Sequence, residues 1–183
     1  HSSEVLKDLN VDVLGLCEVE NYKVLNDLNK AYKGRDYDII HYESPDNRGI
    51  DNALLYDKNR FSIISSRAIE NKLKNGGPTR DILYVLGEYN NARLHIFVNH
   101  WPSNYGGKEK AIPKRTETAE LIIKEIENIL SVEKSAEIIL IGDFNEDPDD
   151  KNIMLLEQIG LTSLMKPMLG QPKVGTYVYR GQD

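Results

Sequence analysis

Ile138-Ile139-Leu140-Ile141-Gly142-Asp143-Phe144-Asn145 is the stretch from which the rest of the chain is best read. Its apolar run has the length of a buried strand, and it passes through a glycine to a carboxylate and an amide. A strand ending this way presents Asp143 and Asn145 at the carboxyl edge of a sheet, where ligands bind in α/β folds. The same residue types also build ordinary turns, and Asp147-Pro148-Asp149-Asp150 extends the loop. A calcium loop is excluded. Asp143, Asn145 and Asp147 alternate correctly, but Pro148 stands where such a loop needs glycine and Met154 where it needs the closing glutamate.

Upstream of this strand, Ala119, Ile122, Ile123, Ile126 and Ile129 recur at the helical period, and Pro113 is read as the first residue of that helix, which ends near Leu130. Strands are predicted at Tyr37–Tyr42, Asn52–Tyr56, Phe61–Ile69, Ile82–Tyr89 and Leu94–Asn99. Near the start, Val5, Leu6 and Leu9 share one face of a helix ending at Asn10. Val11 to Val19 reads as a central strand covered on both faces. Asn21 is placed to cap a helix running to Tyr32. Downstream, Asp149 to Gly160 predicts a short helix closed by glycine, and Thr176–Tyr179 a last strand. No linker or repeat divides the sequence, so residues 1–183 are read as a single domain. Hairpin-length spacings alternate with long helical crossovers, which suits packed sheets with helices outside them better than a doubly wound parallel sheet.

Three further strand ends carry chemistry. Glu18, in Leu16-Cys17-Glu18-Val19-Glu20-Asn21, leaves an apolar strand; it either marks emergence into solvent or is held by a partner or a metal. His100, in Asn99-His100-Trp101-Pro102-Ser103, stands where an imidazole could donate to a phosphoryl oxygen, or could serve structure alone. Arg80, in Pro78-Thr79-Arg80-Asp81, could fork onto a phosphate or pair with Asp81 or another carboxylate. After His100 comes the most basic stretch of the chain, with Lys108, Lys110, Lys114 and Arg115. It reads as a solvated helix entrance or as a phosphate-facing lip.

Bulk composition narrows the classes. The 183 residues carry a net charge of −6, which argues against a strongly basic nucleic-acid coat. A metal and a local basic patch could still neutralise a phosphodiester. The single cysteine, Cys17, excludes an internal disulfide, and the histidines give no zinc-ligand spacing. No apolar run is long enough to span a membrane, no leader pattern opens the chain, and the compartment is left open. The chain has no glycine-rich nucleotide loop, nucleophile elbow or Cys-His arrangement, which argues against covalent nucleophilic catalysis and makes metal-assisted hydrolysis the best-fitting enzymatic class.

Taken together these motifs resemble the endonuclease/exonuclease/phosphatase family, which includes pancreatic-type deoxyribonucleases, abasic-site endonucleases, sphingomyelinases and inositol-polyphosphate phosphatases. Asp12 to Glu18 is similar to the family's strand ending in a metal-binding glutamate. Arg48 to Tyr56 is similar to its next core strand, Thr79-Arg80-Asp81 to its phosphate-contacting arginine, Asn99 to Ser103 to its catalytic-histidine segment, and Gly142 to Asn145 to its Gly-Asp-Phe-Asn signature. The stretch Asn99 to Gly107 resembles a bacterial branch whose substrates are poorly defined. The resemblance implies a four-layer α/β/β/α sandwich of the deoxyribonuclease-like type, with Glu18 holding Mg2+ (or Mn2+). It implies that Asp143 activates water and that Asn145 positions water and phosphate. His100 and Arg80 would stabilise charge on the phosphoryl oxygens. The implied partner is a phosphate-ester substrate, nucleic acid among the candidates, with no protein partner evident.

Two family segments are not found. The initial asparagine-bearing strand has no counterpart, and neither do the later Asp strand and Ser-Asp-His. The expectation is a sandwich incomplete at its N- and C-terminal strands, truncated at both ends, and a 183-residue chain with little catalysis alone. A catalytically inactive binding or structural module, and a phosphatase of sugar or lipid headgroup phosphates, are the alternatives.

Overall fold

The computed structural model describes residues 2–32, 34–74 and 76–171. The chain divides into two compact units, His1–Asn145 and Glu146–Asp183. The larger holds helix α1 (Ser2–Leu9), β1 (Val13–Val19), α2 (Tyr22–Ala31), β2 (Tyr37–His41), β3 (Asp51–Asp57), β4 (Phe61–Ile69), β5 (Ile82–Tyr89), β6 (Ala92–His100), α3 (Lys108–Val132) and β7 (Glu137–Asp143). One sheet has the order β1-β3-β2 and is antiparallel; the other, β4-β5-β6-β7, becomes parallel at its last pair.

Side-chain alternation explains the layering. Leu54 of β3 points inward with Val13 and Tyr56, meeting Leu83, Val85, Ile96 and Val98 of the second sheet. Ala53 and Leu55 point the other way, onto Leu6 of α1 and Leu25 of α2. On the far side, His95 and Phe97 lie on the face where Ala119, Ile122 and Ile126 of α3 are buried, and Arg67 of β4 pairs with Glu125 of that helix at 2.5 Å. The architecture is therefore the α/β/β/α sandwich. Where the sheets press closest, Gly15 of β1 leaves room for the Ile141 side chain; a Cβ there would stand 2.6 Å from Ile141 Cδ1.

Several local expectations change. Of the α1 face only Leu6 is buried, while Val5 and Leu9 are about half exposed. Helix α3 begins at Lys108, so Pro113 lies inside it, in the second turn. Its missing N–H there costs a single bond near the start, where the preceding turn is already anchored on the Gly107 carbonyl. The strands β1 and β7, read as buried, are sheet edges among the described residues, and β3 is the fully covered one. Both edges send apolar side chains between the sheets, and an apolar run alone does not distinguish an edge from a centre.

In the smaller unit, α4 (Lys151–Gln158) follows a turn in which Asp150 N–H donates to the Asp147 carbonyl at 2.9 Å. Asn152 donates to Glu146 Oε1 at 2.6 Å. Gly160 closes the helix at φ +96°, and a 3-10 turn follows at Lys166–Met168. The predicted strand Thr176–Tyr179 lies outside the described residues.

Candidate active site

The parallel pairing of β6 with β7 puts Asn99 beside Gly142 and His100 beside Asp143. This register requires glycine, since Gly142 adopts φ +126° and a Cβ would stand 1.9 Å from the Asn99 carbonyl oxygen. Asn99 is fully buried; its Nδ2 donates to the Phe97 carbonyl at 3.0 Å and to the Ile141 carbonyl at 3.3 Å. The ladder continues one step further, with Trp101 N–H donating to the Asp143 carbonyl at 2.8 Å. Trp101 is wholly buried, its ring edge-on to Phe144 at 5.0 Å. Phe144 of the Gly-Asp-Phe-Asn segment thus anchors the turn that carries its polar neighbours.

That turn is tight. Asn145 adopts a left-handed φ of +51°, and its N–H donates to Asp143 Oδ1 at 2.9 Å. Its Nδ2 donates to the Trp101 carbonyl at 3.0 Å. The same carbonyl accepts from Arg80 Nη2 at 2.8 Å, so one main-chain oxygen ties together β6, the loop before β5 and the turn after β7. Asp143 keeps its side chain open, 57% exposed, with Oδ2 3.9 Å from His100 Nε2.

His100 is buried, and its Nδ1 has no hydrogen-bond partner. Burial, reinforced by the Arg80 and Arg48 charges, holds its pKa below the ordinary histidine value against the opposing charges of Asp143 and Glu18. Glu18 reaches this neighbourhood through a bulge. Between Leu16 and Val19, β1 spends one residue more than β3, and Glu18 takes φ +59° with its side chain exposed. Among the described residues its carboxylate has no ion pair or hydrogen bond. Next to it Cys17 donates to the Asn99 carbonyl at 3.1 Å, and burial pushes its thiol up to about 11.

All five residues singled out in the sequence thus belong to one end of the sandwich. Sequence reasoning missed Asp46, which holds Arg80 Nη1 at 3.2 Å from a loop distant in sequence. It also missed the Trp101 carbonyl, because a main-chain acceptor leaves no mark in residue type. Arg115, grouped with the basic stretch, is buried and donates to the Pro102 carbonyl and to Asn104 Oδ1, both at 3.0 Å. It fastens the loop after His100 instead of facing a phosphate.

The sequence profile of the Endonuclease/Exonuclease/phosphatase family matches residues 2–183. The chain belongs to that family. No curated protein sequence matches it significantly. Solved structures that share this family's fold include truncated TDP2 of Caenorhabditis elegans, at 19% identity and TM-score 0.64 over 81% of this chain and 55% of that one. ANGEL2, a 2',3'-cyclic phosphatase, is 16% identical with TM-score 0.69 over 86% of this chain and 46% of that one. The human Nocturnin catalytic domain with bound sulfate is 22% identical with TM-score 0.64 over 82% and 57%. The chain spans about half the length of these structures.

For a family site the donor set fits a hard divalent cation. Glu18, Asp143 and Asn145 all offer oxygen, and Glu18 has no competing partner among the described residues. A second group, His41, Glu43 and Asp51, brings its ligand atoms within 4.8 Å of one another and could also hold a metal ion. There the cation would have to compete with a closed network. Asp51 accepts from Ser44 N–H at 2.8 Å and Ser44 Oγ at 2.6 Å, and pairs with His41 Nε2 at 2.9 Å.

Proposed function

We propose that this protein hydrolyses phosphate esters, phosphodiesters foremost, by in-line attack of water assisted by Mg2+ or Mn2+. The observation carrying this reading is the Trp101 carbonyl, which receives Arg80 at 2.8 Å and Asn145 at 3.0 Å beside the His100–Asp143 pair. Glu18 would hold the cation, which when bound supplies Lewis-acid polarisation of a phosphoryl oxygen. Asp143, open to solvent, accepts the proton of the attacking water, and Asn145 orients that water and the phosphate. His100 donates to a phosphoryl oxygen as charge develops there, and Arg80 adds a fixed positive charge beneath it. Nucleic acid is a candidate substrate: a Danio rerio TDP2 structure of the same fold holds a single-strand DNA product.

The test is cation-dependent turnover of bis(p-nitrophenyl) phosphate and of short DNA by the full-length protein. Asp143→Ala should lower kcat about 100-fold or more while leaving the circular dichroism unchanged. Unaltered turnover in that variant would remove the site assignment.

A further inference from the structure

Arg80 is committed. Its side chain is 6% exposed, with Nη1 on Asp46 Oδ2 at 3.2 Å and Nη2 on the Trp101 carbonyl at 2.8 Å. Both terminal nitrogens are already engaged and the side chain is buried, which leaves Nε as the nitrogen without a partner. Arg48 is arranged the opposite way. Its main chain is fixed in a tight turn, with its N–H donating to Asp46 Oδ1 at 2.9 Å and Gly49 N–H donating to the Asp46 carbonyl at 2.9 Å. Its guanidinium rests on the same carboxylate, Nε on Oδ1 at 3.2 Å and Nη2 near Oδ2 at 3.5 Å, yet the side chain is 53% exposed.

Two guanidiniums therefore share one buried carboxylate, which leaves one positive charge uncompensated within the cluster. The exposed Arg48 head group has room to take an anion as a further counterpart. Two buried polar atoms without partners belong to these residues, the Arg80 Nε donor and His100 Nδ1, whose role depends on the ring tautomer. The Arg48 charge acts on both Arg80 and His100, so its head group lies within electrostatic reach of the pair of strand ends that carries His100 and Asp143.

We propose that Arg48 is the guanidinium that contacts the phosphoryl oxygens of the substrate, and that Asp46 is a positioning residue presenting it. Arg80 then acts through its buried charge and by holding Asp46 and the Trp101 carbonyl in place. This rests on the phosphoesterase reading for its substrate, though not for its probe, which is inorganic phosphate.

The experiment measures binding of inorganic phosphate to the full-length protein by calorimetry, and its inhibition of ester turnover, for wild type, Arg48→Ala, Arg48→Lys, Asp46→Asn and the Asp46→Asn/Arg48→Ala double variant. Arg48→Ala should stay folded, with a melting temperature lowered only by the loss of its contacts to Asp46, and should weaken phosphate binding about tenfold, with KM rising more than kcat falls. Arg48→Lys, which keeps the charge without the fork, should recover part of the loss and serves if the alanine variant folds poorly. In the double variant the loss should be no greater than in Arg48→Ala alone, because Asp46 acts through Arg48; additive losses would make Asp46 merely structural and overturn its role. Phosphate affinity and KM unchanged in Arg48→Ala would overturn the Arg48 assignment, as would absence of phosphate binding in the wild type. Phosphate binding that depends on Arg48 in a protein without ester turnover would support the assignment and sink the phosphoesterase reading instead.

Discussion

At Gly142 the backbone passes so close to β6 that a Cβ would stand 1.9 Å from the Asn99 carbonyl oxygen, at a φ of +126°. Neither the contact nor the dihedral can relax cheaply, because the oxygen belongs to a ladder strand and also accepts the Cys17 thiol. Gly142→Ala should therefore cost about 2–4 kcal/mol through combined strain and overpacking. It should also displace Asp143 from His100. The check is a urea titration beside turnover: a variant as stable and active as wild type would show that the register is not what fixes the pair. This glycine could be read from the sequence because a strand, a glycine and two turn-forming polar residues stood in order. The partners of Arg80 could not, since Asp46 is separated from it by 34 positions and the Trp101 contribution is a carbonyl that every residue possesses.

Strand β1 carries Glu18 on a bulge, and the bulge has an energetic signature of its own. A glutamate at φ +59° occupies the left-handed region at a cost of about 1 kcal/mol or more. Glu18→Gly should remove that strain, leaving thermal stability unchanged or slightly raised. The same change removes the carboxylate, so stabilisation of the fold by added Mg2+ or Mn2+ and cation-dependent turnover should both be lost. Differential scanning calorimetry with and without the cation separates the effects, and a variant whose melting temperature still rises with Mg2+ would rule Glu18 out as a ligand. At this scale periodicity served well for α2, where Asn21 accepts the Val24 N–H at 3.0 Å as its cap, and for the hairpin of β5 and β6. It failed at Pro113, because a proline favoured in a first turn is tolerated in the second when only one bond is lost. It failed again for β1 and β7, whose lateral neighbours leave no trace in the apolar pattern.

Three carboxylates of the larger unit, Asp46, Asp12 and Asp81, are shifted in opposite senses, which makes their response to acid specific. Asp46 is pushed upward by burial, but hydrogen bonds from Arg48 and Arg80 outweigh this and hold it below its ordinary 3.8. Asp12 is lowered as well, by the Tyr89 hydroxyl and then by Arg35. A carboxyl lowered in the folded state contributes stability that is present above 3.8 and is lost as pH falls through the folded value. Asp81 is the reverse: burial raises it, so its folded form binds the proton more tightly, and stability declines as pH rises through its folded value. Asp46→Asn should therefore be less stable than wild type at neutral pH, with the gap closing below about pH 4. Asp81→Asn should be more stable at neutral pH by a few degrees at most, since the amide oxygen can still accept the Asn71 N–H, and its gain should vanish over the same acid range. Melting curves of both variants and the wild type from about pH 2 to 7 give the comparison, because the difference from wild type isolates each carboxyl from the background of all the others. If the two differences had the same sign at neutral pH, the arginine clamp on Asp46 or the burial of Asp81 would have been assigned the wrong electrostatic weight.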